Sequence, residues 1–203
     1  ISEAAMEANF TNEGGYNKKY RFLKNIMGLW IIQEVAKEFS DKYSFGELVE
    51  LARKEPFLGV FDVNDSRFLN PDNMTKEILK SFEDKGEQVP TSTGEIAYCV
   101  YHSLACSYKQ TITELEVITK KTYSTINIVG GGCQNELLNE MIADVCNKRV
   151  VAGPIEATAL GNILAQLMSE GVVKDIQEGR KMIRESFEIK EYGGTNNGCK
   201  NKI

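Results

Sequence analysis

Apolar residues recur at helical spacing through most of this chain. Toward its C-terminal end the pattern switches to short β-branched runs set between helical stretches. From Phe22 to Phe39, the residues Leu23, Ile26, Met27, Trp30, Val35 and Phe39 share a helical period, which predicts one helix. Before it, Ala8–Asn12, Glu13-Gly14-Gly15 and Tyr20-Arg21-Phe22 predict a hairpin that turns at the glycine pair. Ser44-Phe45-Gly46-Glu47 has the spacing of a capping box, so a helix is expected to Lys54, before Pro56. Phe61–Asn73 crowds Asn, Asp and Pro and reads as a loop. Thr75–Lys85 reads as a helix stopped by Gly86. The longest helix is expected from Thr93 or Gly94 to about Lys121, burying Ile96, Val100, Leu104, Ile112, Leu115 and Ile118.

Beyond this helix the period changes. Thr125–Val129 reads as a strand leading into Gly130-Gly131-Gly132, and Asn135–Asn147 as a helix with Leu137, Leu138, Met141, Ile142 and Val145 inside. Arg149–Ala152 is a second strand, ended by Gly153-Pro154. Ile155–Glu170 is a helix ended by Gly171, and Asp175–Phe187 a last helix with Asp175 and Glu178 in capping-box positions. Strand–helix–strand–helix argues an α/β layer. There is no internal repeat, and no linker long enough to split the chain. The tail after Tyr192 lacks periodicity and is expected to be flexible.

Composition narrows the functional classes. The chain has 203 residues, 42% of them apolar, which is enough to bury a core and excludes wholesale disorder. A net charge of -5 argues against a general nucleic-acid binder or a polybasic membrane anchor. No apolar run is long enough to span a bilayer. Cys99, Cys106, Cys133, Cys146 and Cys199 form no CxxC pair. They read as reduced thiols in a cytoplasmic protein, with no zinc site and no disulfide near Cys146. The chain opens on Ile1 rather than Met, so an upstream segment is expected to be missing from it.

Three places carry candidate chemistry. The triple glycine ends a strand and opens a helix, which lets a ligand approach backbone closely; it is neither a P-loop nor a complete dinucleotide fingerprint. A second strand-end turn, Gly153-Pro154, would lie beside it and form one edge of a cleft, with Ala157, Ala159 and Gly161 read as helix–sheet packing. Asn25 and Gln33 would sit on one flank of the first long helix and meet two parts of a long ligand assembly. Other matches fail. Asp62–Arg67 opens like a calcium loop but has Arg67 where glycine is required. His102 reads as an ordinary residue of the long helix, and Cys133 as partly accessible with no base beside it. A nicotinamide oxidoreductase would need an acidic residue after the second strand, which is not cleanly present.

The blocks NFTNEGG (Asn9–Gly15), YRFLKNIMGLW (Tyr20–Trp30), NIVGGGCQN (Asn127–Asn135) and VAGPIEATALGN (Val151–Asn162) together resemble the FGGY carbohydrate kinases. That family belongs to the actin-like, hexokinase and Hsp70 ATPase superfamily. The resemblance implies a helix-rich α/β domain of ribonuclease H-like, actin-like ATPase type with a small central sheet. It spans residues 1–192 as a C-terminal, nucleotide-side domain, with a tail at 193–203. The first two blocks are similar to the L-rhamnulose branch of the family, with fuculose or xylulose kinases as the alternatives. The implied reaction is transfer from ATP, with Mg²⁺ on the phosphates, to the 1-hydroxyl of L-rhamnulose bound in a two-domain cleft. Residue by residue, Asn25 matches a sugar contact and Gln33 a nucleotide contact. Gly131, flanked by Gly130 and Gly132, matches the adenosine-facing backbone, and Asn135 an adenine neighbour. The family's general-base Asp lies upstream of this chain, as does its amino-terminal domain, so the chain alone is expected to be an inactive half, or a nucleotide-binding module.

Overall fold

The computed structural model describes residues 2–193, which fall into two compact units dividing between Thr122 and Tyr123. The expected flexible tail lies, from residue 194 onward, outside the described residues. The division follows directly on the end of the longest helix, so no long linker marks it.

The first unit opens with α1 (Glu3–Glu7), then β1 (Thr11–Gly14) and β2 (Tyr20–Leu23). The two strands pair antiparallel, Thr11 opposite Leu23 and Gly14 opposite Tyr20, and form the hairpin read from the sequence. Four helices follow: α2 (Trp30–Glu38), α3 (Phe45–Lys54), α4 (Met74–Glu83) and α5 (Thr93–Thr119). Their starts follow local chemistry. Ser44 and Glu47 form a reciprocal capping box on α3, and Ser92 and Glu95 another on α5. Asn73 caps α4 through Lys76 N–H at 2.6 Å.

The core of this unit is helical and aromatic. α5 packs on α3, and α2 packs on both α4 and α5. Phe82 meets Phe57 edge-on at 5.6 Å and Phe61 at 6.2 Å, and Phe61 also meets Phe68 at 4.9 Å. Gly94 sits where α5 crosses α3: an added Cβ would lie 2.7 Å from the Leu51 carbonyl oxygen. Only the first half of α5 is buried. Ile96, Val100 and Leu104 are inside as expected, but Ile112, Leu115 and Ile118 are only half-buried.

The expected Phe22–Phe39 helix does not form as one piece. The chain leaves β2 at Leu23, runs irregularly through Lys24–Leu29, and becomes helical only at Trp30. Tertiary bonds to Lys24 and Met27 override the helical period there, and Gly28 weakens it further.

The second unit contains β3 (Thr125–Ile128), α6 (Glu136–Cys146), β4 (Arg149–Ala152), α7 (Ala157–Ser169), α8 (Ile176–Ser186) and β5 (Lys190–Tyr192). The sheet order is β3-β4-β5. β3 and β4 are parallel, with Asn127 opposite Val151, and β5 joins β4 antiparallel. Val150, Val151 and Ala152 are all buried, as a central strand covered on both faces requires. β5 escapes the sequence reading because it is three residues long and begins Lys-Glu.

Asp175 caps α8 as expected, accepting from the N–H groups of Gln177 and Glu178. Glu178 reciprocates one residue earlier than a capping box would, at Lys174 N–H, 2.7 Å. Val145 is half-buried rather than inside. Among the described residues no helix is long and apolar enough to cross a membrane.

Candidate functional site

The second unit brings its two glycine turns together. Because β3 and β4 run parallel, both chains leave the sheet at the same end. Gly153 N–H donates to the Ile128 carbonyl at 2.8 Å, and Gly130 N–H donates to the Pro154 carbonyl at 3.2 Å. The two strand-end turns are therefore cross-linked through backbone, side by side at the carboxyl edge of the sheet, where open α/β sheets place their ligands.

Gly130 has φ 77 and ψ -169, a conformation essentially confined to glycine. It redirects the chain from β3 into a single 3₁₀ turn, Gly131–Gln134, from which Asn135 starts α6. A Cβ at Gly130 or Gly131 would meet nothing within 4 Å, and Gly131 is exposed, so the outer face of the turn is bare backbone. The α6 N-terminus adds partial positive charge beside it. The first-turn residue Glu136 pairs with Lys190 at 2.6 Å, and this bond holds the ammonium above its ordinary pKa.

Two asparagines lie behind the bare face. Asn135 Oδ1 accepts from Leu138 N–H at 3.0 Å, and Asn139 Nδ2 donates to the Cys133 carbonyl at 2.9 Å. Asn135 is 8% exposed and Asn139 0%, and each has one atom without a partner: Asn135 Nδ2, a donor, and Asn139 Oδ1, an acceptor. An unpaired buried amide atom costs about 1–3 kcal/mol, so two on successive turns of one helix need a reason.

Cys133 is buried, contrary to the accessible thiol expected, because its side chain turns inward from the 3₁₀ turn. That burial raises its pKa and leaves it unfit as a nucleophile. Cavities flank the paired turns. One, of about 230 Å³, is lined by Cys133, Gln134, Ala152, Gly153 and Lys190. Another, of about 540 Å³, is lined by Val129, Val151, Leu160, Gly161 and Arg184. The close packing expected at Gly161 is absent: a Cβ there meets nothing within 4 Å, and Ala159 is exposed. Both positions on α7 are open.

The first unit holds the other candidates. Asn25 is exposed on the irregular Lys24–Leu29 stretch and Gln33 is exposed on α2, so they do not share a helix flank. The stretch bearing Asn25 is tethered on either side. Lys24 Nζ meets Glu114 Oε2 at 2.6 Å and lies 5.6 Å over the Phe10 ring, which stacks on Phe22. Burial opposes ionisation of Glu114, but hydrogen bonds from Lys24 and Gln110 outweigh it and lower its pKa. On the far side, Met27 N–H donates to Asn64 Oδ1 at 3.1 Å, and Asn64 Nδ2 donates to Ser107 Oγ at 3.3 Å. Asp62 Oδ1 in turn accepts from Asn64 N–H at 2.9 Å. The acidic run that resembled a calcium loop thus anchors the Asn25 stretch to α5.

Gly130, Gly131, Gly132 and Asn135 are gathered in one turn, as the sequence implied. Asn139 and Asn64 were missed. An Asn four residues after Asn135, set among Leu137, Leu138, Met141 and Ile142, was the available signal for the first. No local pattern marks the second.

Residues 1–170 match the family described as the FGGY family of carbohydrate kinases, C-terminal domain. The rhamnulokinase of Halalkalibacterium halodurans is 53% identical over 188 residues, which cover 93% of this chain and 40% of that protein. That of Bacillus subtilis is 48% identical over 193 residues, 95% of this chain and 40% of the relative. That of Klebsiella pneumoniae is 45% identical over 190 residues, 94% and 39% respectively. The chain therefore spans about 40% of the length of the curated relatives it matches.

Proposed function

The chain belongs to the FGGY family of carbohydrate kinases, and from that membership we propose that it is the nucleotide-side part of an L-rhamnulose kinase. The reaction is ATP-dependent phosphorylation of the ketose at its 1-hydroxyl, giving L-rhamnulose 1-phosphate and ADP. The observation that carries the nucleotide side is the pair of cross-linked turns with their bare Gly130–Gly131 face.

The residues present fit a nucleotide. Backbone at Gly131 can approach adenosine with no side chain in the way. Asn135 Nδ2, without a partner at the start of α6, is the side-chain donor beside that backbone, and this reading assigns it to the adenine base. Gln33 serves the nucleotide and Asn25 the sugar. Among the described residues no group of three or more His, Cys, Asp or Glu could hold a metal. Mg²⁺ would arrive with the phosphates, where it would neutralise charge on the transferring group. This chain's part is to seat and orient the nucleotide.

Phosphoryl transfer depends on holding donor and acceptor in line and on stabilising charge around both. With the base and the amino-terminal domain contributed from elsewhere in the family's pattern, this chain alone does not turn over sugar. The reading includes a cytoplasmic site of action, where ATP and reduced thiols coexist.

A coupled ADP-release assay tests the proposal on this chain and on a polypeptide extended upstream to the length of its relatives. Rhamnulose-dependent turnover only in the longer protein is expected. Turnover with a different ketose would retain the kinase and overturn the sugar; turnover by this chain alone would overturn the division of labour.

A further inference from the structure

Asn139 stands out as a fully buried amide in the apolar face of α6, between Leu138 and Met141. A Leu there would fill similar volume with no polar atom to satisfy, so the amide needs a task. Its Nδ2 donates to the Cys133 carbonyl at 2.9 Å. That carbonyl belongs to the 3₁₀ turn and precedes the break at Asn135, whose φ -84 and ψ 91 are not helical. The break separates the 3₁₀ turn from α6 and deprives the turn's carbonyls of the partners a continuous helix would supply.

Few of the turn's other bonds reach outside it. Cys133 N–H reaches the Gly130 carbonyl at 3.1 Å, and Asn135 N–H reaches the Gly132 carbonyl at 3.2 Å. Both are internal to the turn. Gly130 N–H on Pro154 ties its start to the neighbouring strand end. The Asn139 bond ties its middle to the rigid body of α6. A glycine-rich turn without that second anchor would lose little by opening, since glycine gains more conformational freedom than other residues.

We infer that Asn139 is a positioning residue, which acts through the Cys133 carbonyl to hold the Gly130–Gln134 turn in its nucleotide-receiving shape. The inference rests on the functional reading above for the identity of the ligand, but not for the hold on the turn. Asn139 itself is out of reach of any ligand. It sets where the Gly131 backbone and the Asn135 amide stand.

The test separates the two parts. Amide hydrogen exchange is followed by NMR on this chain and on Asn139→Leu and Asn139→Ala, and ADP affinity is measured by titration. The Ala variant removes the donor without adding volume or charge at this fully buried position, so it answers for the Leu variant should that fail to fold. In the unmutated chain the Asn139 side-chain amide exchanges slowly. In the variants the Cys133 and Asn135 amides exchange about tenfold faster, the effect of one lost hydrogen bond, while Val145 and Cys146 stay protected. ADP binding weakens by about the same factor. Unchanged turn protection in a folded variant would overturn the inference and leave Asn139 a core filler. A loosened turn with unchanged ADP affinity would keep the anchor and overturn its role toward nucleotide. No ADP binding by the unmutated chain would sink the functional reading, while the exchange rates still decide whether Asn139 holds the turn.

Discussion

The Asn64 carboxamide accepts a hydrogen bond from the Met27 backbone across 37 residues of sequence, and so fixes the stretch that carries Asn25. Its other end donates to Ser107 on α5. Asn64→Leu removes both bonds. The Met27 N–H is exposed, so water replaces the partner, and the expected loss of stability is about 1 kcal/mol in urea unfolding. Asn64→Asp keeps the acceptor for Met27 and loses only the donor to Ser107, so its loss is smaller. On the proposed reading, in which Asn25 serves the sugar, the Leu variant of a polypeptide extended upstream raises KM for the ketose more than it lowers kcat. Equal stability of both variants and wild type would show that the bond does not hold the stretch.

Gly130 and Gly161 make opposite predictions from the same substitution. Gly130→Ala forces φ 77, ψ -169 on a residue with a Cβ and costs about 1–3 kcal/mol, all of it backbone strain since nothing lies within 4 Å. Gly161→Ala replaces an exposed mid-helix glycine with equally open space around it, and gains about 1 kcal/mol of helix propensity. Thermal melts of the two variants should move in opposite directions. A destabilised Gly161→Ala would mean that something packs closely on that face of α7.

These positions show what was legible beforehand. Ser44 and Asp175 announced their helices because a cap is a local bond, made within three residues. The paired strands and their glycine turns were legible for a similar reason, since β-branched runs before glycines report local backbone geometry. The Lys24–Leu29 stretch was not. Its apolar period is helical, but its shape is set by Asn64 and Glu114, far along the chain. Asn139 was hidden differently: periodicity counts apolar neighbours and passes over the one polar residue buried among them. Gly161 shows the converse limit, since no pattern tells whether a small residue makes room for a neighbour or merely faces outward.

Buried thiols give a chemical prediction. Cys99 is fully enclosed in α5, and burial raises its pKa far above the ordinary thiol value. Burial also raises Cys133. Thiolate is the reactive form, so both should resist iodoacetamide in the native chain and react once denaturant is added. Peptide mapping by mass spectrometry reads each site separately. Prompt native labelling at Cys133 would mean that the 3₁₀ turn opens readily and that its side chain spends time outside.

The α5 capping box sets an acid dependence. Glu95 accepts from the Thr91 N–H at 2.6 Å, the Thr91 hydroxyl at 2.8 Å and the Ser92 N–H at 3.3 Å. The Thr91 backbone bond is the largest influence, and together these donors hold the carboxyl below its ordinary value of 4.5. A carboxylate whose pKa is lower in the folded state stabilises the fold above the unfolded value. That contribution is lost as pH falls through the folded value. Glu95→Gln should therefore lower stability at neutral pH and flatten the decline expected below pH 4.5. Asp175→Asn, at the start of α8, should act in the same direction, because its carboxyl is lowered by the Glu178 and Gln177 N–H groups. Urea unfolding across the acid range checks both. A Glu95→Gln variant with the same acid slope as wild type would show that the carboxylate's charge contributes nothing beyond the hydrogen bonds an amide can also accept.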